Sequence, residues 1–185
     1  MFILYALVLG IAIGYIAGGR LEGLATLGFR WAPVMLAGLA VQIAVFGPLE
    51  GTIGALGTPL YVASTIAVLV AVARNVRIPG LALILVGAIS NLAAILTNGG
   101  VMPADPGAVA LAGIEMDAGF TNSAIVTDPA LRPLTDIFAI PAGVPLANVF
   151  SAGDVLIAVG IVIAVVAGMR RARSAAPVRA GTSYD

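Results

Sequence analysis

Apolar residues fill five stretches of the chain, each ended by a polar or glycine- and proline-bearing break. Residues 2–19, 31–49, 51–73, 79–97 and 151–169 are almost free of charge. Each approaches the roughly 20 residues that a helix needs to cross the hydrocarbon core of a bilayer. Gly and Ala recur in all five, which permits close helix–helix approach in lipid. Thr58-Pro59 reads as an N-cap followed by proline in the first turn of the third helix. The first stretch lacks a basic leader and has a long apolar run, so it reads as a retained helix rather than a cleaved signal. The pattern predicts an all-α fold, a polytopic membrane helical bundle of about five transmembrane helices.

The polar breaks give the bundle a direction. Arg20 and Arg30 separate the first two spans, Arg74 and Arg77 the third and fourth, and Arg170, Arg171, Arg173 and Arg179 follow the fifth. Five spans put all three groups on one side, eight of the nine arginines in total. Glu50, Asp105, Glu115, Asp117, Asp128 and Asp136 fall on the other side with Arg132 alone. The positive-inside rule then sets the N-terminus out and the C-terminus in. Composition agrees with a membrane protein: of 185 residues 61% are hydrophobic and 10% charged, where a soluble domain carries about 25%. The mean hydropathy is +1.11. Arg, Ala, Gly and Val are abundant and Lys is absent, which suggests a GC-rich bacterial genome and so the bacterial cytoplasmic (inner) membrane.

Residues 1–169 read as a single transmembrane domain that includes a long extracytoplasmic connection, 98–150, between helices 4 and 5. Residues 170–185 read as an arginine-rich, disordered tail, its cations a topology anchor or an anionic-lipid site. The segment Arg20–Arg30 has leucines at helical spacing and lies flat on the interface or connects helices inside the bundle; both readings stand.

Absences narrow the chemistry. Without Cys, His or Lys there is no thiolate, no Ser-His triad, no histidine-bound metal and no Schiff base. No cofactor and no metal are expected, and nothing points to nucleic acid. Membrane lipids are the expected partners, with a membrane-protein partner or a lipid-linked peptide substrate as further candidates. Acid–base chemistry falls to Asp, Glu or Tyr. Asn91 lies inside an apolar span, where a buried amide is either helix–helix glue or part of a site. Thr97-Asn98-Gly99-Gly100 is a turn signal at a helix end. Asp136 sits among apolar residues. Asp154 opens the last span, and Ser151-x-x-Asp154 fits a capping box. Asp136 and Asp154 on the same side form a candidate pair, able to share a proton and activate water. Leu146, Val149 and Phe150 are expected to pack the intervening stretch on the bundle. Arg132 is expected in a buried contact with a carboxylate of the connection.

The run from GAISN through Asp136 to Phe150-Ser151-Ala152-Gly153-Asp154 resembles lipoprotein signal peptidase (signal peptidase II). That family has a G-x-x-G-N helix, then an aspartate, then F-N-x-A-D opening its last helix. The resemblance covers about residues 86–169. It implies catalytic roles for Asp136 and Asp154, with Asn91 on the family's helix amide and Phe150 on its motif aromatic; Asn91, Asn98, Phe150 and Ser151 are the residues expected to orient the acids or the substrate. Ser90 and Ser151 depart from the family pattern. Over nearly its full length the chain is similar to a family of small bacterial multi-pass membrane proteins of unknown function. The shared features are the Asn-bearing helix, the T-N-G-G-x-M-P turn at Thr97–Pro103, Leu134-x-Asp136 and Ser151-x-Gly153-Asp154. Two readings follow: an aspartyl hydrolase at the outer membrane face, or a non-enzymatic accessory subunit or lipid- or small-molecule-binding bundle.

Overall fold

The computed structural model describes residues 2–115 and 123–174. The apolar stretches become helices α1 (Phe2–Ile16), α2 (Ala32–Val45), α4 (Gly57–Arg74), α5 (Leu81–Thr97) and α7 (Ala152–Ser174), with a short α3 (Glu50–Ile53) leading into α4. After α1 the chain bends by 112° into a 3₁₀ segment, Leu21–Leu27. That segment packs on the end of α7, where Gly23 lies against the Gly168 carbonyl. Helix α4 starts before Thr58, with no side-chain cap. A 3₁₀ turn (Gly54–Leu56) feeds it, so the Gly57 N–H is already bonded to the Gly54 carbonyl and no capping hydroxyl is needed there.

Glycines set the helix directions. Gly10 faces Val162 and Val165, and Gly14 faces Met169, so α1 runs parallel to α7. Gly80 meets Gly160 and Gly87 meets Gly153, so α5 runs antiparallel to α7. Both pairs recur at seven-residue spacing, which lets the two backbones touch. Helix α2 runs antiparallel to α4: Gly38 faces Val68, and Gln42 donates to Thr65 at 3.2 Å. The arginine-bearing breaks therefore meet at one end. There the Arg20 N–H reaches the Met169 carbonyl at 2.9 Å, and the Arg30 N–H reaches the Asn75 side chain at 2.8 Å.

Among the described residues two helical stretches, Gly54–Arg74 and Ala152–Arg171, are long and apolar enough to span a membrane, and α1 with its bent 3₁₀ segment is a third if taken as one span. Helices α2 and α5 are apolar but shorter, at 14 and 17 residues. Large side chains such as Ile16, Ile43 and Leu36 point outward, as lipid-facing residues do. Helix α7 continues through Arg170 and Arg171 to Ser174, so the expected tail begins as helix; its remainder, 175–185, lies outside the described residues, as does Asp117.

The described residues of the connection after α5 depart from an all-α fold. Strand β1 (Met102–Pro103) pairs in parallel with β2 (Ser123–Ala124), and β3 (Phe138–Ile140) pairs antiparallel with β4 (Asn148–Phe150). Between β1 and β2, Asp105 caps helix α6 (Pro106–Ala112) by accepting from the Gly107 and Ala108 N–H groups at 2.9 and 3.2 Å. Ala104, Ala108, Val109, Ala112 and Val149 form a small core for this cap. Val149 and Phe150 pack inward as expected, but Leu146 is exposed. Arg132 does find a carboxylate, Asp105 at 3.4 Å, yet its side chain is 71% exposed. The expectation of a buried pair is thus corrected. One oxygen of Asp105 is spent on α6, and the other faces solvent where Arg132 meets it.

Candidate functional site

The acid-bearing end of the bundle holds the site. Ser151 is fully buried and caps α7. Its Oγ accepts from the Asp154 N–H at 3.0 Å, and its own N–H donates to Asp154 Oδ2 at 2.9 Å. This is a reciprocal capping box with aspartate in place of the usual glutamate. The other carboxylate oxygen, Oδ1, accepts from Asn91 Nδ2 at 2.9 Å. The Ser151 hydroxyl also lies 2.8 Å from Asn91 Oδ1 and 2.9 Å from Asp154 Oδ2, and its single proton serves one of them at a time. Gly153 makes this possible: a Cβ there would overlap Asn91 Oδ1.

Asp136 arrives from the cap. Its N–H donates to the Pro103 carbonyl at 2.9 Å, and its carbonyl accepts from the Asp105 N–H at 3.0 Å, the bridge that ties Asp136 to Ala104. Its side chain is buried, and Ser123 Oγ donates to Oδ2 at 3.1 Å. Burial pushes the Asp136 carboxyl up to about 7, and the negative charge of Asp154 adds to the rise; the Ser123 hydrogen bond opposes it.

Both carboxylates line one cleft of about 250 Å³. Ile3 of α1, Gln42 of α2, Tyr61 and Thr65 of α4, Asn91 and Ile95 of α5, Ser123 and Met102 of the cap, and Ile157 of α7 also line it. Of the residues singled out from sequence, Asp136, Asp154 and Asn91 meet here, with Ser151 behind Asp154. Asn98 does not join them. It holds the cap instead, donating to the Ala130 carbonyl and accepting from the Ala130 N–H, both at 2.9 Å. Phe150 is also a packing residue, stacked on Phe2 at 4.3 Å and on Phe138 at 5.5 Å. Sequence reasoning missed Tyr61, Thr65 and Ser123. Tyr61 and Thr65 are four residues apart on an apolar helix, so a shared polar face was the available signal. Among the described residues no three or more His, Cys, Asp or Glu side chains gather where they could hold a metal ion.

The geometry places two carboxyl groups on one small cavity, with Asn91 and Ser151 holding that of Asp154. No curated protein and no solved structure matches the chain. A model of a family of unknown function, DUF5317, matches residues 26–166, a stretch that contains α2, the cap, both aspartates and most of α7, and the chain belongs to that family.

Proposed function

We propose that this protein is a five-span membrane hydrolase that uses Asp136 and Asp154 as an acid–base pair at the outer face of the bilayer. The membrane topology is supported by the alternating helix directions and by the gathering of the arginine-bearing turns at one end, which the positive-inside rule assigns to the cytoplasm. The observation that carries the chemistry is that two carboxylates from different elements line the same cleft. With its carboxyl raised to about 7, Asp136 carries a proton into the neutral range. Asp154, encircled by donors, is the acceptor.

A water in the cleft gives a proton to Asp154 and attacks a peptide carbonyl, whose oxygen takes the proton of Asp136. The tetrahedral adduct collapses as the leaving nitrogen takes the proton held by Asp154. A hydroxyl proton of the adduct returns to Asp136, and both acids regain their starting states. Activity falls as pH rises through about 7, because Asp136 then loses the proton it must donate.

A second reading, a binding bundle without chemistry, is favoured by one observation: the capping box already gives Asp154 a structural role. Asp154→Glu separates the two. Glutamate is the usual residue at that cap position, so the helix start is retained, while its extra methylene displaces the carboxylate within the cleft. Cells carrying wild-type protein, Asp136→Asn or Asp154→Glu are compared by mapping new N-termini of membrane and exported proteins. The hydrolase reading expects the same precursors to accumulate uncleaved in both variants while both proteins keep wild-type helicity and abundance. Termini indistinguishable from wild type in the two folded variants would refute it and leave the binding reading.

A further inference from the structure

The opposite end of the bundle carries a second built feature. Asn75, at the end of α4, is buried and grips the turn before α2: its Oδ1 accepts from the Arg30 N–H at 2.8 Å, and its Nδ2 donates to the carbonyls of Arg30 and Ala71, both at 2.7 Å. The gripped turn is unusual in its backbone, with Gly28 at φ 54° and Trp31 at φ 61°. The Arg74 guanidinium stacks 4.6 Å over the Trp31 ring and fixes it further. Beside this turn lies an apolar groove of about 360 Å³, open on one side and lined by Leu24, Phe29, Met35, Val72, Ile84 and Val165 among others. Arg30 directly follows Phe29 of the groove wall. Arg77 directly precedes Ile78, which packs with Leu27, Val72 and Leu81 of the same wall.

The charge at this end of the bundle is predominantly positive. Arg20, Arg30, Arg74, Arg77, Arg170 and Arg171 occupy this end, and among the described residues Glu22 is its only acid. Glu22 is already matched with Arg20 at 3.4 Å. We propose that the groove holds one acyl chain of an anionic phospholipid of the cytoplasmic leaflet, its headgroup phosphate taken by Arg30 and Arg77. The physical reason lies in the solvent. A lipid tail gains no hydrophobic free energy by leaving other tails for a leucine-lined groove, because the two media are equally apolar. Such a groove positions a chain but does not select one. Selection comes from the headgroup, where a guanidinium fork matches a phosphate and each nearby arginine favours an anionic lipid. The groove volume is within the roughly 300–1,000 Å³ of sites that hold small ligands.

This proposal needs the chain to lie in a bilayer but does not need chemistry at Asp136 and Asp154, so either can fail without the other. Trp31 is the only tryptophan of the chain, which makes the site self-reporting. The full-length protein is reconstituted into vesicles of phosphatidylcholine containing either brominated phosphatidylglycerol or brominated phosphatidylcholine, and quenching of Trp31 fluorescence is measured. The native chain should favour the anionic lipid by about 25-fold, roughly fivefold for each of the two arginines, and the preference should shrink as salt rises. Arg30→Gln and Arg77→Gln should each lower it. The Asn75 grip uses only the Arg30 backbone, so Arg30→Gln leaves that turn intact. Equal quenching by the two lipids in the native chain would overturn the proposal, the groove then taking any tail or a neighbouring helix. So would an anionic preference that survives both substitutions.

Discussion

Gly153→Ala tests whether the α5–α7 contact or the local helix start sets the geometry of the acceptor carboxylate. Judged by helix propensity alone, alanine in place of glycine stabilises a helix by up to about 1 kcal/mol. The packing predicts the opposite sign. The added Cβ would lie 2.7 Å from the Gly87 carbonyl oxygen and 2.8 Å from Asn91 Cγ, and it would overlap Asn91 Oδ1 outright. Ordinary contact begins at 3.4 Å, so α5 must retreat by 0.7 Å at Gly87 and Asn91 must swing away. Overpacking of this kind typically costs about 1–3 kcal/mol. Loss of the Asn91 bonds to Asp154 and Ser151 adds about 0.6 kcal/mol each, the mean found for hydrogen bonds between membrane helices. The net expectation is a destabilisation of about 1–3 kcal/mol. Helicity followed by circular dichroism during thermal and detergent unfolding measures it, with Gly143→Ala as the control, since nothing lies within 4 Å of a Cβ at Gly143. A double-mutant cycle adds a second check: Asn91→Ala should cost less in the Gly153→Ala background, where its bonds are already broken. A Gly153→Ala protein as stable as wild type, or more so, would refute the close-approach argument.

The carboxyl of Asp136 makes a prediction about pH. Its folded-state value near 7 lies above its ordinary 3.8, so the folded chain holds a proton that the unfolded chain has released. The associated stability is complete below about pH 4 and is lost as pH rises through 7, a change on the order of 4 kcal/mol. Asp136→Asn should flatten that slope between pH 4 and 7 and raise the unfolding midpoint at pH 8; an unchanged slope would place the carboxyl in water. Asn98→Ala should free the backbone of Ala130, lower stability by about 1–2 kcal/mol, and speed amide exchange across residues 125–132 while leaving exchange in α7 as it was. Slow exchange throughout that segment would show that something other than Asn98 secures it.

Much of the site could be read from the sequence where one residue type had few physical roles to choose from. An amide inside an apolar helix needs a partner, and Asn91 has two. Ser151-x-x-Asp154 spelled a capping box, and the box is there. An aspartate among apolar neighbours suggested burial, and Asp136 is buried. The misreadings share a cause, which is that a local motif does not say which distant partner it serves. Asn98 belongs to a helix-ending turn in either role, but its partner lies 32 residues away, across the cap. Phe150 sits in a suggestive motif, yet an aromatic ring beside Phe2 and Phe138 is used for stacking. Strands of two or three residues leave no alternating pattern to detect, because tertiary pairing rather than periodicity creates them. Tyr61 and Thr65 of α4 and Ser123 of β2 join the cleft only once helix and cap come together.

The two halves of the cleft rest on separate supports, and this separation bears on how the acid pair can work. Asp154 belongs to the α5–α7 seam. The contacts of Gly80 with Gly160 and of Gly87 with Gly153 continue, one turn beyond Gly87, into the contact of Asn91 with Ser151 and Asp154. The polar cluster is therefore the end of an apolar packing register, and its precision comes from helices. Asp136 belongs to the cap, held by backbone bonds to Pro103 and Asp105 and by the Ser123 hydroxyl. The cap has its own core, and Asn98 at the end of α5 ties it to the seam through Ala130. A small shift of the cap against the seam changes the spacing of the two carboxylates while breaking nothing within either half. Asp136 feels such a shift directly, because part of its raised proton affinity comes from the charge of Asp154. Substitutions in the seam and in the cap should thus alter the titration of Asp136 by different routes: Gly153→Ala by displacing Asp154, Asn98→Ala by loosening the element that carries Asp136 itself.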